Sequence, residues 1–359
     1  MAALLTSKGF KVNLCDLPQF YDANIKPFQE RGGIEVTGDS FNGFFELNTI
    51  TTNIAEAVKG VNIVIVMSRA QGHMPLIESC LTSLEDGQVL VIYTPFFTAL
   101  RAADRLRERG LRNVVLGEVQ ILPWSCNRTG PTTAYLRATK SELLAAAMPA
   151  ENTHSLLSTL EKLPSPPRYV RAANVLETTL GNIMPALVVP IPLLNIGMLE
   201  NTKVSLYYEH GLTPPVGRVV DSLDSERMAV GRALGLKLES LAQSMSKWYS
   251  RYGCRGESSF EVFDTLWTHE WEVPATTLRY EMERGELAES IPYFLVPLSH
   301  LGHLLGVPTP ATDTIIHLAE LITGINYRRE GLTLEQIGVA GLTKEQMISY
   351  ANTGQRRSR

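Results

Sequence analysis

The 359-residue sequence predicts an α/β protein in which a doubly wound parallel sheet is followed by an all-helical domain. The first sign is a set of continuous apolar runs rich in β-branched residues, at Val61–Met67, Gln88–Tyr93 and Asn113–Leu116, which is the pattern of strands buried on both faces. The second is the helical periodicity between these runs, because strands that alternate with helices are typical of a parallel sheet. The third is that the periodicity becomes almost wholly helical after a proline-rich stretch at Leu163–Pro167.

The other elements follow in order within two predicted domains, residues 1–165 and residues 166–359. In the first domain we expect short strands between Val119 and Thr139, a strand at Lys11–Asp16, and helices at Asn24–Arg31, Thr52–Lys59, Met74–Leu84 and Phe97–Arg109. In the second domain we expect helices at Ala172–Leu187, Leu199–His210, Ser225–Leu234, Leu238–Tyr252, Phe260–Thr268, Leu295–Leu305, Thr312–Thr323, Thr333–Ile337 and Lys344–Ala351. The proline-rich stretch is the expected hinge between the domains.

The start of the chain has the pattern of a dinucleotide-binding unit. Such a unit opens with a strand, a Gly-rich turn and a helix, and its second strand ends in an acidic residue about 20 positions after the glycines. Met1–Gly9 resembles the end of that helix, and Asp16 is the acid at the strand end. We therefore expect the first strand and the Gly-rich loop upstream of Met1. Without them, the Lys11–Asp16 strand either lies beside a gap or pairs with the Val61–Met67 strand.

Asp16 is the strongest single candidate for a functional residue. A carboxylate at this strand end accepts hydrogen bonds from ribose hydroxyls and repels a 2′-phosphate, so NAD is expected as the cofactor and NADP is disfavoured. The alternative is that Asp16 only forms a turn before Leu17 and Pro18.

Composition excludes several classes of function. The net charge of −4 gives no reason to expect nucleic acid as a partner. The four cysteines are far apart in sequence and have no metal or redox spacing, so we expect a reduced, cytoplasmic protein. The apolar stretch Ile183–Met198 is short and contains prolines, which favours a buried, bent segment and no membrane partner. The expected partners are small molecules. The sequence does not decide whether the protein forms a homodimer.

A series of short motifs extends along most of the chain. They are Gly117–Arg128, Asn174–Asn182, Tyr207–Pro214, Asp224–Arg227, Leu295–Gly302, Val307–Pro310, Tyr327–Glu335 and Gly338–Leu342. In order and spacing these motifs resemble the opine dehydrogenases, a family that includes the octopine, nopaline and N-(1-carboxyethyl)norvaline dehydrogenases. The resemblance implies a Rossmann domain, a helical domain of the 6-phosphogluconate dehydrogenase C-terminal type, and NAD(P)H-dependent reductive condensation. In that reaction a 2-oxo acid and the amino group of an amino acid form an imine, which hydride reduces.

The resemblance also implies cofactor contacts in the turns that follow two of the predicted strands. The residues are Met67, Ser68, Arg69, Thr94 and Pro95. Both turns depart from the family pattern, which has Val-Pro in the first turn and Asn-Pro-Gly in the second. Phe96 stands at the glycine position, where its side chain would crowd a backbone that should approach the nicotinamide closely. His73 is expected to start a helix, with a cofactor-side role as the alternative.

The family mechanism uses a histidine general acid–base that an aspartate orients. The resemblance places the histidine at Val188 or Val189 and the aspartate at Ser290, so both groups are replaced. Because valine cannot transfer a proton, we expect another residue to act. The candidates are His210 as substitute acid–base, Glu289 as acid or orienter, Arg279 as carboxylate clamp, and Asn182 at the family's asparagine position. The alternatives are a solvated helix end for His210, a plain surface carboxylate for Glu289, and a surface ion pair for Arg279.

Four further side chains are expected to be structural. His300 and His303 have i, i+3 spacing on a helix, but the sequence offers no third ligand, so we expect no metal site. Glu118 and Cys126 are expected to lie in the core near the domain junction and to take no part in catalysis.

Two other functions compete with the opine dehydrogenase hypothesis. A catalytically silent homologue that binds a metabolite or a partner protein would explain the lost histidine and glycine positions. A hydroxyacid or glycerol-3-phosphate type dehydrogenase would need a lysine one turn before Asn182, where this chain has Thr178. The opine dehydrogenase hypothesis therefore ranks first and the hydroxyacid hypothesis third.

Overall fold

A computed structural model describes residues 1–38, 41–163, 167–201, 207–266 and 278–356. The chain forms two compact units. The first, here called the sheet unit, contains Met1–Val175 and Ala351–Gly354, and the second, the helical unit, contains Leu176–Tyr350 and the residues from Gln355 onward. The predicted hinge is Leu163–Pro167, and its central residues, 164–166, lie outside the described residues.

The described strands belong to the sheet unit. They are β1 (Asn13–Cys15), β2 (Gly33–Gly38), β3 (Gly43–Glu46), β4 (Thr49–Thr51), β5 (Ile63–Val66), β6 (Val89–Tyr93), β7 (Val115–Val119), β8 (Trp124–Gly130), β9 (Thr133–Thr139), β10 (Glu142–Met148) and β11 (Arg168–Arg171). The helices of this unit are α1 (Ala2–Ser7), α2 (Lys26–Arg31), α3 (Ile54–Val58), α4 (Ala70–Cys80), α5 (Thr98–Glu108) and α6 (Thr153–Leu160).

The largest sheet has five strands in the order β11-β10-β7-β6-β5. Its core is parallel, because β6 pairs in parallel with both β5 and β7. Every residue of β6 is buried, which explains why this strand is a continuous apolar run instead of an alternating one. The predicted α/β class with buried parallel strands is confirmed.

Two smaller sheets complete the sheet unit. β1 pairs in parallel with β4, and the other sheet has the order β3-β2-β9-β8. Within the described residues, β1 does not pair with β5, so the expected alternative of pairing with the Val61–Met67 strand is not observed.

Several strands are not predicted from the sequence. β2, β3 and β4 lie between two predicted helices, and β3 is almost fully exposed, so its side chains have no apolar alternation to reveal it. β10 contains three consecutive alanines, which favour a helix by propensity but are all buried in the sheet. Tertiary packing overrides local preference at these positions.

Helix boundaries also shift from the predicted ones. The predicted helix at Met74–Leu84 extends from Ala70 to Cys80, with Pro75 in its interior. Proline is favoured in the first turn of a helix, and this preference explains why the sequence places the start too late. The early start brings His73 into the first turns of the helix.

The helical unit confirms the predicted helical domain. Its helices are α7 (Val175–Leu180), α8 (Met184–Val188), α9 (Pro190–Leu194), α10 (Ile196–Asn201), α11 (Tyr207–Gly211), α12 (Pro214–Ala233), α13 (Leu241–Trp248), α14 (Ser259–Leu266), α15 (Leu278–Glu283), α16 (Glu286–Ser290), α17 (Val296–Leu305), α18 (Pro310–Thr323), α19 (Tyr327–Glu330), α20 (Leu334–Ile337) and α21 (Lys344–Thr353). A π-helical turn, Ile291–Leu295, joins α16 to α17.

A buried arginine ties the core of the helical unit together. The Arg227 side chain is fully buried in α12, and its Nε donates to Asp224 Oδ1 at 2.9 Å. Its two other nitrogens donate to the backbone oxygens of Leu180 and Glu239 at 2.6 Å each. Since an unpaired buried guanidinium is very costly, these bonds fix α12 against the end of α7.

Most of the apolar stretch noted in the sequence lies inside this core, whereas its end, from Leu194 onward, does not. Among the described residues, Val175–Leu194 has the length and composition of a membrane-spanning helix, but 94% of its apolar window is buried inside the fold. It is broken into α7, α8 and α9, and prolines stand at the starts of α8 and α9. The prediction of a buried, bent segment fits this arrangement.

Candidate active site

Two turns lie side by side at one edge of the five-stranded sheet. β5 ends at Val66 and β6 ends at Tyr93, and because these strands are parallel neighbours their carboxyl ends lie at the same edge. The β5 turn (residues 67–69) leads into α4, and the β6 turn (residues 94–97) leads into α5. Ligands of open parallel sheets bind outside the carboxyl ends of the strands. The residues predicted to contact the cofactor, Met67, Ser68, Arg69, Thr94 and Pro95, are brought together in these two turns.

Asp16 directly follows β1. Its Oδ1 accepts a hydrogen bond from the Leu17 backbone N–H at 2.7 Å, and its Oδ2 accepts one from Asn24 Nδ2 at 2.8 Å. These bonds orient the carboxylate and still leave acceptor capacity on both oxygens. The side chain can therefore accept hydrogen bonds from a ligand, while the bond to Leu17 is the one that a turn aspartate also makes.

The β6 turn has an unusual backbone. Thr94, Phe96 and Phe97 have φ values of 59°, 48° and 60°, in the left-handed region that non-glycine residues seldom adopt. Phe96 thus takes the conformation that the family's glycine would adopt freely, and its ring is buried. Residues in such conformations cost about 1–3 kcal/mol each and persist only where surrounding contacts hold them.

Two buried polar side chains hold the β6 turn. Glu118 Oε1, at the end of β7, accepts a hydrogen bond from the Ala99 backbone N–H at 2.6 Å and so caps the start of α5. On α4, His73 Nδ1 lies 2.8 Å from Thr98 Oγ1, and His73 Nε2 lies 3.1 Å from the Ser68 carbonyl oxygen. Burial lowers the pKa of His73 to about 4, so the ring is neutral near pH 7.

The sheet unit contains polar groups that fit part of a nicotinamide dinucleotide. Thr94 Oγ1 is buried and has no hydrogen-bond partner in the described part of the chain. A buried hydroxyl without a partner is costly, and a ligand amide or hydroxyl at the β6 turn would satisfy it. Together with the Asp16 carboxylate, it gives the unit two polar groups suited to a dinucleotide.

In the helical unit, the positions that correspond to the family's catalytic pair lie on neighbouring helices. α8 carries Val188 at its end, and α16, which carries Ser290 at its end, packs against α8. Both residues are buried. The two helices that carry these positions are therefore in contact, while neither side chain has the chemistry of a histidine–aspartate pair.

Two polar atoms near these helices are buried without partners. Asn182 precedes α8, and its Oδ1 accepts a hydrogen bond from the Met184 backbone N–H at 3.1 Å, whereas its Nδ2 has no partner among the described residues. Ser290 Oγ is likewise unpartnered among the described residues. Each of these groups can hydrogen-bond a ligand, because each retains capacity that the protein does not use.

The other three catalytic candidates occupy different surroundings. Glu289 is buried beside Ser290 on α16. His210 is exposed on α11, which packs against α9. Arg279 is 85% exposed on α15, and its Nε donates to Glu283 Oε1 at 2.8 Å, a pairing that raises the pKa of the guanidinium. The geometry thus places Glu289 and Asn182 in buried positions near α8, whereas Arg279 forms a surface ion pair.

The histidine pair on α17 does not form a metal cluster with its neighbours. Within the ranges that the structure describes, no group of three or more His, Cys, Asp or Glu side chains is arranged to hold a metal ion. His300 and His303 line an open cavity of about 830 Å³ in the helical unit, together with Asp313 and Arg328. Asp313 and Arg328 form an ion pair of 2.7 Å there.

Sequence reasoning does not identify the contacts that hold the β6 turn. Thr98 and Glu118 stand 25 and 45 positions from His73 in the sequence, and no motif links the three residues. The available signal is Phe96 at a glycine position, since a bulky residue in a left-handed turn requires supporting contacts.

The sequence is similar to known opine dehydrogenases. A family model described as NAD/NADP octopine/nopaline dehydrogenase, alpha-helical domain, matches residues 171–323. The chain is 31% identical over 353 residues to the opine dehydrogenase of Arthrobacter sp. (strain 1C), which covers 95% of this chain and 92% of that protein. It is 21% identical over 325 residues to the protein ocs of Agrobacterium vitis, with coverage of 89% and 87%.

Solved structures share the fold. A structure of octopine dehydrogenase in complex with NADH and agmatine matches with a TM-score of 0.76 and 18% identity, covering 100% of this chain and 96% of that one. A ketopantoate reductase of the PanE/ApbA family from Ralstonia eutropha JMP134 matches with a TM-score of 0.57 and 17% identity, covering 89% and 93%. At these identities the structural matches establish the architecture, and the sequence relatives carry the family.

Proposed function

This chain belongs to the opine dehydrogenase family and is an NAD(P)-dependent oxidoreductase of that type; on that premise we propose that it reductively condenses a 2-oxo acid with the amino group of an amino acid, using NADH. The single observation that carries the proposal is the 31% identity to an opine dehydrogenase over 95% of the chain. The polar groups of the β5 and β6 turns and of the helices around α8 support it.

The reaction requires a balanced set of bond changes. The amino nitrogen bonds to the carbonyl carbon of the oxo acid, water leaves, and the resulting imine accepts a hydride at carbon and a proton at nitrogen. NADH supplies the hydride when it is bound. The protein must therefore hold the cofactor, orient two carboxylate-bearing substrates and manage the proton.

Cofactor selection is assigned to Asp16 and the two turns. The Asp16 carboxylate, already oriented by Leu17 and Asn24, accepts hydrogen bonds from ribose hydroxyls and repels a 2′-phosphate, which favours NAD over NADP. Thr94 Oγ1 offers its unused hydrogen-bonding capacity at the β6 turn. Met67, Ser68, Arg69 and Pro95 shape the same edge of the sheet.

Proton transfer is assigned to Glu289, with Asn182 as an orienting amide. Glu289 is a buried titratable group beside the position where the family has its aspartate, on a helix that packs against α8. The unpartnered Nδ2 of Asn182 can donate to a substrate carboxylate. His210 is the alternative donor, since α11 packs against α9, which begins shortly after Val188. Arg279 remains a candidate clamp for a substrate carboxylate.

The assignment of Glu289 can be tested by steady-state kinetics. We expect E289Q to lower kcat by about 100-fold with pyruvate and an amino acid as substrates, because general acid–base catalysis typically contributes 10²–10⁴-fold. NADH oxidation, followed by absorbance across a panel of amino acids, measures the rate. E286Q, a substitution on the same helix α16, is the matched control and should retain the wild-type rate within about twofold.

The alternatives give different results in the same assay. If E289Q is fully active and H210Q is not, the proton donor is His210. If neither change affects kcat, both assignments are wrong. NADH binding that is followed by turnover of no substrate in the panel would overturn the proposed reaction.

A catalytically silent homologue is the second candidate function. The observation that favours it is the wholly apolar and mostly buried α8, where the family has its histidine. Under this hypothesis the chain binds a metabolite through Asn182 and Ser290 but catalyses no reaction. Cofactor titration followed by fluorescence, combined with the turnover assay, separates the two functions.

The proposed location is the cytoplasm. All four cysteines are free, Cys80 and Cys254 are buried, and burial raises the pKa of their thiols to about 12 and about 11. Buried thiols that stay protonated are suited to a reducing compartment. Fractionation of cells that express the native chain would test this location.

A further inference from the structure

We propose that His73 is a positioning residue whose ring fastens the β5 turn to the β6 turn and thereby fixes the edge of the sheet that receives the cofactor. The inference rests on the proposed NADH-dependent function and adds to it a residue that need not touch the cofactor. His73 acts through Ser68 and Thr98, the two residues to which its ring nitrogens are bonded.

The placement of His73 on α4 makes this connection direct. α4 begins immediately after the β5 turn, and His73 lies in the first turns of the helix, so its ring can reach back to the Ser68 carbonyl. The same ring reaches across to Thr98, the first residue of α5, which follows the β6 turn. One side chain therefore joins the segments that follow two adjacent parallel strands.

The hydrogen-bonding capacity of the ring fits this role. A carbonyl oxygen only accepts, so Nε2 carries the proton toward Ser68. In the neutral ring Nδ1 is then an acceptor, and it pairs with the Thr98 hydroxyl, whose single proton is shared between Nδ1 and the Pro95 carbonyl oxygen. The Thr98 hydroxyl also lies in contact with the Pro95 carbonyl oxygen within the β6 turn. Both ring nitrogens are thus used, and their two partners belong to segments that follow two different strands.

The strained backbone explains why fastening is required. Three residues of the β6 turn have positive φ without being glycine, so the turn would relax if its contacts were lost. Glu118 holds the turn from β7 through the Ala99 amide. His73 holds it from α4 and also links it to the β5 turn. A shift of about 1 Å in such a turn is enough to impair a bound ligand's position.

The test uses substitutions that each break one of the two bonds. In H73N the amide stands near the position of Nδ1 and can still pair with Thr98, but it cannot reach Ser68. T98V removes the hydroxyl and keeps the shape, and T98S restores the hydroxyl as the conservative variant. L160A removes a fully buried side chain of α6 and serves as the control for general destabilisation.

Two measurements are made on each full-length variant. Hydrogen exchange of the backbone amides at residues 68–72 and 96–99 reports on the turns, and NADH titration by fluorescence reports on the cofactor. We expect H73N and T98V to accelerate exchange in these segments and to weaken NADH binding by about tenfold, which is the typical effect of losing one buried hydrogen bond. T98S should stay within about twofold of wild type, and KM for the oxo acid at saturating NADH should change little.

Each contrary result has a definite meaning. Unchanged exchange in H73N and T98V, or equal acceleration in L160A, would overturn the fastening role. Faster exchange with unaltered NADH affinity would overturn the link to the cofactor. A wild-type chain that does not bind NADH would overturn the proposed function instead, and the exchange data would still decide whether His73 joins the two turns.

Discussion

At the scale of single residues, the Thr94 hydroxyl destabilises the fold but is available to a ligand. Its buried hydroxyl lacks a partner in the described part of the chain, so removing that hydroxyl should stabilise the protein while removing a group available to a ligand. We expect T94V to raise the free energy of unfolding by about 1 kcal/mol and to weaken NADH binding by about fivefold. Urea denaturation and NADH titration measure the two effects.

A second buried threonine provides the control for this prediction. Thr132 Oγ1 accepts a hydrogen bond from Arg31 Nη1 at 3.0 Å, so T132V should lower stability by about 1 kcal/mol and leave NADH affinity unaltered. If T94V and T132V changed stability in the same direction, the Thr94 hydroxyl would not be the unsatisfied group inferred here.

Individual residues show which features of the site can be predicted from the sequence. Asp16 is predicted as the acid at the end of a strand and lies there, because strand-end position follows from a local pattern. Phe96 is predicted to crowd the β6 turn, and the structure resolves the conflict by a left-handed backbone and burial of the ring. The partners of His73 could not be predicted, because hydrogen bonds between distant segments leave no local pattern.

At the scale of elements, the start of α18 depends on a side chain from another helix. Glu226 on α12 accepts hydrogen bonds from the backbone N–H groups of Ala311 and Thr312 at 2.7 and 2.8 Å, and from Thr312 Oγ1 at 2.7 Å. These groups lack partners within α18, and a carboxylate also interacts favourably with the helix dipole. α12 and α18 are therefore joined by an interhelical cap.

Removing this cap should have a measurable cost. We expect E226A to lower the free energy of unfolding by about 2 kcal/mol and E226Q to lower it by less, because glutamine keeps one acceptor but loses the charge. E283A, which removes only the exposed pair with Arg279, should cost less than about 0.5 kcal/mol. Equal losses in E226A and E283A, measured by urea denaturation, would contradict the capping role.

Elements differ in how well the sequence predicts them. The buried parallel strands β5 and β6 are predicted because both faces are covered and the apolar run is continuous. β3 is not predicted, because an exposed strand with glycine has no such run. The start of α4 is predicted too late, because Pro75 has the local preferences of a first-turn residue although it lies inside the helix.

At the scale of the whole molecule, the buried neutral His73 makes stability depend on pH. Its pKa falls from an ordinary 6.5 to about 4 through burial, so the unfolded chain binds this proton more readily than the folded chain does. The stabilising contribution is complete above pH 6.5 and is lost as the pH falls toward 4. One pKa unit corresponds to about 1.4 kcal/mol.

This linkage predicts a measurable loss of stability in mild acid. We expect His73 to account for a loss of about 2 kcal/mol between pH 7 and pH 5, measured by urea denaturation at both pH values. H73N lacks the titrating ring, so its stability should fall by correspondingly less over the same interval. An identical pH dependence of wild type and H73N would show that the ring titrates normally in the folded chain.

The sequence by itself determined the α/β class, the buried parallel strands, the helical second domain and the membership in the opine dehydrogenase family, because these follow from local periodicity and from the order of motifs. The tertiary structure alone decided which distant side chains meet: His73 with Ser68 and Thr98, and Glu118 with the Ala99 amide. It also placed Ser290 on a helix packed against α8, and it left Asn182 Nδ2 unpartnered among the described residues. The physical reason is that hydrogen bonds and burial between distant segments arise only when the chain folds, whereas the patterns of strands and helices are already present along the sequence.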